Sequence, residues 1–304
     1  MADNEPRRHH YVPQFLLKHF GDPNGKVHVF DKKLNAVRHQ STKKIAFEND
    51  MYVIKDDAGR KNLEGLATMI DEFGCEPIRK LITFEGLSAL TKEKRFKLSY
   101  FIAAMMIRVP HTRLSALATN KYMIEKWGPD ICAEGSDVPI SAFTEQEAKN
   151  MTVSMMARDT PEFAKYLREK IWLLMKATEG SHFYISDNPV AKHNHIERPY
   201  RGNLGLKNEG IELYLPISPH LCLMLLCRNM ANLATLSPET GLHEAYFTDT
   251  PIRANPDNVT HLNSLQIIHS ERFLFASQND FFLAQDMIRE HPSIKHGSTI
   301  SHIH

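Results

Sequence analysis

Behind Pro13 the apolar residues Phe15, Leu16, Leu17 and Phe20 recur at helical spacing, which predicts a short helix ending near His19. The turn residues of "GDPNG" stop it, and "KVHVFD" then alternates as a strand does. "IAFENDMYVI" reads as a short helix or loop leading into another strand. From Asn62 to about Phe84 a helical period returns in Leu63, Leu66, Ile70, Phe73, Ile78 and Leu81, with a break or kink expected at Pro77. Thr91 caps "KEKRFKLSYFIAAMMIRV", whose nearly all-apolar final half predicts a central core helix that Pro110 ends. "HTRLSALATNKYMIEKW" continues as a second helix, "EGSDVPIS" is the best internal linker, and helices follow over about Thr144 to Ala157 and Pro161 to Ala177.

Past Gly180 the pattern changes to short β-type runs, "HFYISD", "IELYLPIS" and "LCLMLLC", separated by turn residues. A helix over Pro256 to His269, a strand "RFLFA" and a helix from about Asp280 to Arg289 close the chain. No repeat or low-complexity tract interrupts it. The expected fold is α+β: a helix-rich N-terminal and middle part packed on a mainly antiparallel sheet formed largely by the C-terminal part, with the N-terminal strand added. Helix is expected over about residues 60–178, sheet over about 180–290, and a flexible tail over about 292–304.

Composition narrows the function classes more than it selects one. Of 304 residues 42% are hydrophobic and 24% charged, enough apolar material for one large core. The 37 Lys+Arg against 36 Asp+Glu give a net charge of +1, so no global field draws in nucleic acid or an anionic membrane, and any polyanion contact must be local. Cys75, Cys132, Cys222 and Cys227 show no CxxC spacing and suit free thiols in a reducing compartment. The N-terminus carries no signal-peptide apolar core, and the longest apolar runs are too short to span a bilayer, so a cytoplasmic protein without membrane partners is expected. No GxGxxG, Walker loop, HExxH or GxSxG motif is present.

The 17 histidines are the unusual feature, and "RRHHYVPQFLLKHF" concentrates the chemistry. Packing accounts for its apolar residues but does not ask for His9, His10 or Gln14. Neighbours in an extended segment point to opposite sides, so one imidazole works while the other braces. The working one would be a general acid/base or a metal ligand; the plainer reading is a basic arm capping the next helix. In "YISDNPV", Ser186 and Asp187 sit where a strand runs into a turn, which suits a held, outward-facing carboxylate and equally suits simple turn chemistry. Glu64 and Asp71, seven apart, fall on one helical stripe, and Arg108 at the end of an apolar helix calls for a partner or a ligand, or complements its own helix dipole. His193 and His195, two apart on a strand, share a face, and Lys192, Arg198, Tyr200 and Arg201 beside them form a basic-aromatic patch, though a solvated loop is the plainer account. In "REHPSIKH", Pro292 breaks any helix that would join Arg289 to His296.

Taken together, "HHYVPQFLLKHF", "KVHVFDKK", the Leu63-Glu64 helix, "FIAAMMIRVPHTR", "FYISDNPV", "LYLPISP" and "NSLQIIHSERFLFA" resemble, in order, a family known as a domain of unknown function whose members open with an HHYVPQF-type motif and carry a Ser-Asp-x-Pro-Val element. The resemblance implies a single integrated domain over 1–304 and supplies no activity. It groups His9, His10, Gln14, Glu64, Arg108, Ser186, Asp187 and Asn263 as a shared pocket; Val109 stands where a small polar residue is expected before Pro110. The favoured expectation is a hydrolase, with a phosphodiester-cleaving nuclease as its sharpest form. His9 or His10 would be the acid/base, Asp187 and Glu64 would orient it or hold a divalent metal, and Arg108, Gln14, Ser186 and Asn263 would bind a nucleic-acid or phosphate-containing substrate. The alternative is a non-catalytic sensor or interaction protein in which the cluster is a structural network; a nucleic-acid-targeting defence or toxin-type effector is a third.

Overall fold

The structure, a computed structural model, describes residues 8–56, 59–128, 130, 132, 139–196, 202–229 and 241–297. The chain enters as strand β1 (Arg8–His10), which pairs antiparallel with β4 (Phe47–Asn49) so that His9 faces Glu48. Helix α1 (Gln14–Lys18) follows Pro13, whose fixed φ suits the residue entering the helix. The hairpin of β2 (Lys26–Asp31) and β3 (Ala36–Ser41) turns through Asn35 at a positive φ, with Asp31 Oδ1 accepting from the Lys33 and Leu34 backbone N–H groups. A second, small hairpin joins β5 (Val53–Asp56) to β6 (Gly59–Asn62). "IAFENDMYVI" thus contains strand and turn, not helix.

Helices α2 (Glu64–Phe84), α3 (Lys92–Ile107), α4 (Pro110–Trp127) and α5 (Glu145–Arg168) make the helical part. Thr91 caps α3 by accepting from the Lys94 N–H, and Thr144 with Glu147 forms a capping box on α5. From Leu98 to Ile107 almost every residue of α3 is buried, because α2 and α5 cover it on two sides. That explains why its apolar half shows no polar face.

Both α2 and α5 run through a proline: Pro77, where a break or kink is expected, and Pro161, which is expected to open a new helix. Burial on either side, by Gly74, Ile78 and Leu81 in α2 and by Met156, Ala164 and Leu167 in α5, outweighs the lost backbone bond. The expected helix from Pro161 to Ala177 is therefore wrong at both ends: α5 ends at Arg168, and Ile171–Ala177 is strand β7. A strand buried on both faces reads as an unbroken apolar run, which periodicity cannot tell from buried helix. Trp172 and Leu174 enter the main core, while Leu173, Met175 and Ala177 enter a second cluster on the opposite face.

Among the described residues β7 lies inside a sheet of order β12-β7-β11-β10-β9, formed with β9 (Ala191–Asn194), β10 (Ile211–Pro216), β11 (Leu221–Leu226) and β12 (Ile252–Ala254). All of its pairings are antiparallel except β12 with β7. A second sheet, order β3-β2-β13-β8, joins the N-terminal hairpin to β13 (Phe273–Ala276) and β8 (Ile185–Ser186) and is antiparallel throughout. "RFLFA" thus completes the sheet begun by "KVHVFD". The fold is α+β, as the pattern predicted. Helices α6 (Leu242–Thr248), α7 (Pro256–His269) and α8 (Phe282–Glu290) finish the described chain, with a 3-10 turn over Pro292–His296 in what was expected to be tail. Residues 298–304, Arg198, Tyr200, Arg201 and most of the expected linker lie outside the described residues. Among those described, no helix is long and apolar enough to cross a membrane.

The α2–α3 contact is close because Gly74 has no side chain: a Cβ there would stand 2.5 Å from the Phe101 ring. Helix propensity alone favours Gly74→Ala by about 1 kcal/mol, whereas overpacking a core costs about 1–3 kcal/mol. The Gly74→Ala protein is therefore expected to melt below the wild type, and thermal denaturation checks it.

Candidate functional site

The N-terminal arm divides the polar residues into two sets. As an extended strand, β1 sends His9 and His10 to different surroundings. His9 is buried; its Nδ1 accepts from the Tyr52 N–H at 3.4 Å, which leaves Nε2 facing Glu64 Oε2, also at 3.4 Å, in the first turn of α2. Gln14 Nε2 lies 3.4 Å from His10 Nδ1, and the His10 ring rests against Phe47 at 5.8 Å between centroids. Burial lowers the His10 pKa, and the Arg108 charge adds to it against the pull of the Thr42 and Lys43 backbone. Tyr52 ties the set together: its hydroxyl donates to the His10 carbonyl at 3.0 Å, and burial pushes its pKa up to about 12.

Arg108, 1% exposed, lies behind Tyr52 at the end of α3. Its Nη1 is 2.7 Å from Asp71 Oδ1 and its Nε donates to Met105 Sδ at 3.1 Å. At that separation the two form an ion pair in which the guanidinium is buried. His9, His10, Gln14, Glu64 and Arg108 are thus assembled around the arm.

Asp187, Ser186 and Asn263 belong elsewhere. Asp187, 2% exposed, accepts three backbone bonds: Oδ1 from Glu271 N–H at 2.8 Å, and Oδ2 from Arg272 and Phe273 N–H at 2.7 and 2.8 Å. Ser186 Oγ closes the local turn by donating to the Asn188 carbonyl at 2.9 Å. Asn263, on α7, accepts from the Tyr184 N–H at 2.7 Å and donates to the His182 carbonyl at 2.9 Å, standing in for a strand neighbour. These groups hold backbone.

The arm's next residue, Tyr11, reaches a cavity of about 570 Å³ whose walls include Glu48, Arg113, Asp187, Glu271 and Arg272. Here the polar groups are ordered by one another. Glu48 accepts both Arg113 terminal nitrogens, at 2.6 and 2.9 Å, a bidentate fork. Arg272 is clamped on Asp31 at 2.8 to 3.1 Å. Glu271 Oε1 lies 2.6 Å from Nδ1 of His111 in the first turn of α4, and His111 Nε2 lies 3.4 Å from Ser115 Oγ one turn on. Behind the wall the buried Lys32 ammonium donates to the carbonyls of Ile267 and Ser270 at the end of α7. Burial pushes Asp187 up to about 6 and Lys32 down to about 8, each against the pull of the other's charge.

The family model described as a protein of unknown function (DUF4238) matches residues 8–280. The chain belongs to the DUF4238 family. No curated protein matches the chain, and no solved structure does. The DUF4238 match takes in both the arm set and the cavity. Among the described residues no group of three or more His, Cys, Asp or Glu is placed to hold a metal ion. His193 meets His261 edge to face, and His195 lies 3.5 Å from Glu212, so the "KHNH" histidines are split between two neighbours.

Sequence reasoning passed over Tyr11, Glu48, His111, Arg113, Glu271 and Arg272. All six lie in the segments "HHYVPQF", "IAFENDMYVI", "RVPHTR" and "HSERF". The available signal was an ionisable pair just past the end of a helix in two of them, opening the next helix at His111 and Arg113 and leading into a strand at Glu271 and Arg272.

Two expectations follow. Arg108→Ala leaves Asp71 without its cation and is expected to lower stability by about 3–5 kcal/mol, read from denaturant melts. For Asp187 the sign follows from its raised pKa: between about pH 4 and pH 6 the folded chain keeps a proton that the unfolded chain has released, so this group's contribution falls as pH rises. Melting wild type and Asp187→Asn side by side should show the wild-type advantage shrinking across that window.

Proposed function

We propose that the DUF4238 chain is a hydrolase of phosphate-bearing esters, with phosphodiesters as the sharpest case, working at the Tyr11–Asp187 cavity. The observation that supports this reading is the 2.6 Å contact of His111 with Glu271, a residue that lines a solvent-open cavity also presenting Arg113 and Arg272. A carboxylate on Nδ1 fixes the imidazole's orientation and stabilises its protonated form, which is the arrangement a general base needs. Nε2 stands in reach of the Ser115 hydroxyl, in the order nucleophile, base, carboxylate. In this reading His111 takes the proton from Ser115 or a water as the ester is attacked and returns it to the leaving oxygen. The guanidinium groups, locked by Glu48 and Asp31, face the charge that builds on the phosphoryl oxygens.

Asp187 then acts through Glu271, whose backbone it holds, and is a positioning residue. His9, His10, Gln14, Glu64 and Arg108 anchor the arm that delivers Tyr11. The four cysteines are unpaired, which supports placement in a reducing compartment such as the cytoplasm.

A second reading, a non-catalytic interaction protein, is favoured by the saturation of both Asp187 oxygens with backbone donors and by the burial of the arm set. One comparison separates the two. Against a panel of aryl phosphate mono- and diesters and short oligonucleotides, His111→Ala is expected to lower the turnover of the folded wild type by about 10²–10⁴-fold with its melting point little changed. Turnover unchanged in both His111→Ala and Ser115→Ala would remove the hydrolase reading.

A further inference from the structure

A second cavity, about 670 Å³, shares no wall residue with the first. Its lining brings together Arg95 from α3, Arg168 at the end of α5, Lys170, Arg228 after β11, Trp172 of β7 and Tyr246 of α6. In a chain whose charges nearly balance, four cations around one concavity are a marked local excess. Among the described residues none of the four is in an ion pair. They are held by other means: the Arg95 guanidinium lies 4.8 Å over the Trp172 ring and that of Arg168 lies 5.2 Å from Phe96. Lys170 Nζ donates to the Leu206 carbonyl at 2.8 Å, and Arg228 Nε to the Glu169 carbonyl at 2.7 Å. The acid in the wall, Asp249, is committed, since its two oxygens accept the Leu87 and Ser88 N–H groups, each at 2.7 Å. Burial lowers the pKa of both Arg95 and Lys170, so an anion brought here would relieve a cost the fold already carries.

The rest of the wall suits a flat, aromatic body beside that anion. Tyr246 is 55% exposed at the rim, and the Arg95–Trp172 stack offers a second planar surface. Guanidinium forks match phosphate oxygens, and tyrosine and arginine planes accept a nucleobase. The volume lies within the range of about 300–1,000 Å³ typical of small-molecule sites.

We propose that this cavity binds a free nucleoside phosphate, its phosphates among Arg168, Lys170 and Arg228 and its base against Tyr246 and the Arg95–Trp172 stack. The site is independent of the hydrolytic reading and does not need it to be correct.

Calorimetric titration of the full chain with adenosine and guanosine triphosphates, with inorganic tripolyphosphate and with a short single-stranded oligonucleotide tests this. Saturable binding of a nucleoside triphosphate is expected. The exposed double variant Arg168→Ala/Arg228→Ala should weaken it by about tenfold or more, and Tyr246→Ala should weaken the nucleotide about tenfold while leaving tripolyphosphate unchanged. His111→Ala should bind as the wild type does. No binding of either nucleotide, affinity unmoved by the double variant while its melting curve stays intact, or an oligonucleotide bound more tightly than the mononucleotides would each overturn the assignment. Should the double variant fail to fold, the Tyr246→Ala titration alone decides, since loss of nucleotide preference over tripolyphosphate is its required result.

Discussion

Asp187 is a carboxylate taken almost completely out of water, and the arrangement around it follows from the cost of doing so. A buried carboxylate must be bonded or neutralised, and here the consecutive N–H groups of Glu271, Arg272 and Phe273 converge on it. That convergence fixes the backbone leading into β13. It thereby sets the positions from which Glu271 reaches His111 and Arg272 reaches Asp31. The ammonium of Lys32, inserted under the end of α7, supplies the nearby positive charge that keeps the carboxylate from being still more costly. Strand, helix end and hairpin are thus joined at one group, the hairpin coming from the far N-terminal part of the chain.

The arm is held by a different kind of constraint. An arginine with almost no exposure faces a single acid, with a tyrosine between it and the main chain of His10. Such pairs seldom add much net stability, because desolvation offsets most of the attraction, but they penalise any packing that separates the partners. Seated that way, β1 places successive side chains in different environments. His9 meets Glu64, His10 meets Gln14 and Phe47, and Tyr11 enters the open cavity. The motif therefore divides its labour between anchoring and presenting.

Two cavities of similar size carry opposite electrostatic designs. In the Tyr11–Asp187 cavity every guanidinium is matched by a carboxylate, which aligns the groups without leaving a large net field. Around Trp172 the cations are oriented by rings and carbonyls, and their charge is left for something else to balance. An ordered, neutralised site suits chemistry; an under-neutralised one suits holding an anion.

Local pattern by itself determined most elements of this α+β fold: α7 over Pro256–His269, the capped α3, and the strands "KVHVFD", "LCLMLLC" and "RFLFA" could all be located from spacing and turn residues. The grouping of His9, Glu64 and Arg108 was implied by the family resemblance and not by spacing, which gave only the shared helical stripe of Glu64 and Asp71. Tertiary structure alone decided that Ile171–Ala177 is a strand, since an apolar run covered on both faces has no period to betray it. It alone decided that Pro161 lies within a helix and that α2 continues through Pro77, where packing overrode the local preference. It alone bonded Asp187 to the Glu271–Phe273 backbone and brought His111 to Glu271, residues 160 positions apart, because contacts at that separation are set by how sheets and helices stack and leave no trace in local spacing.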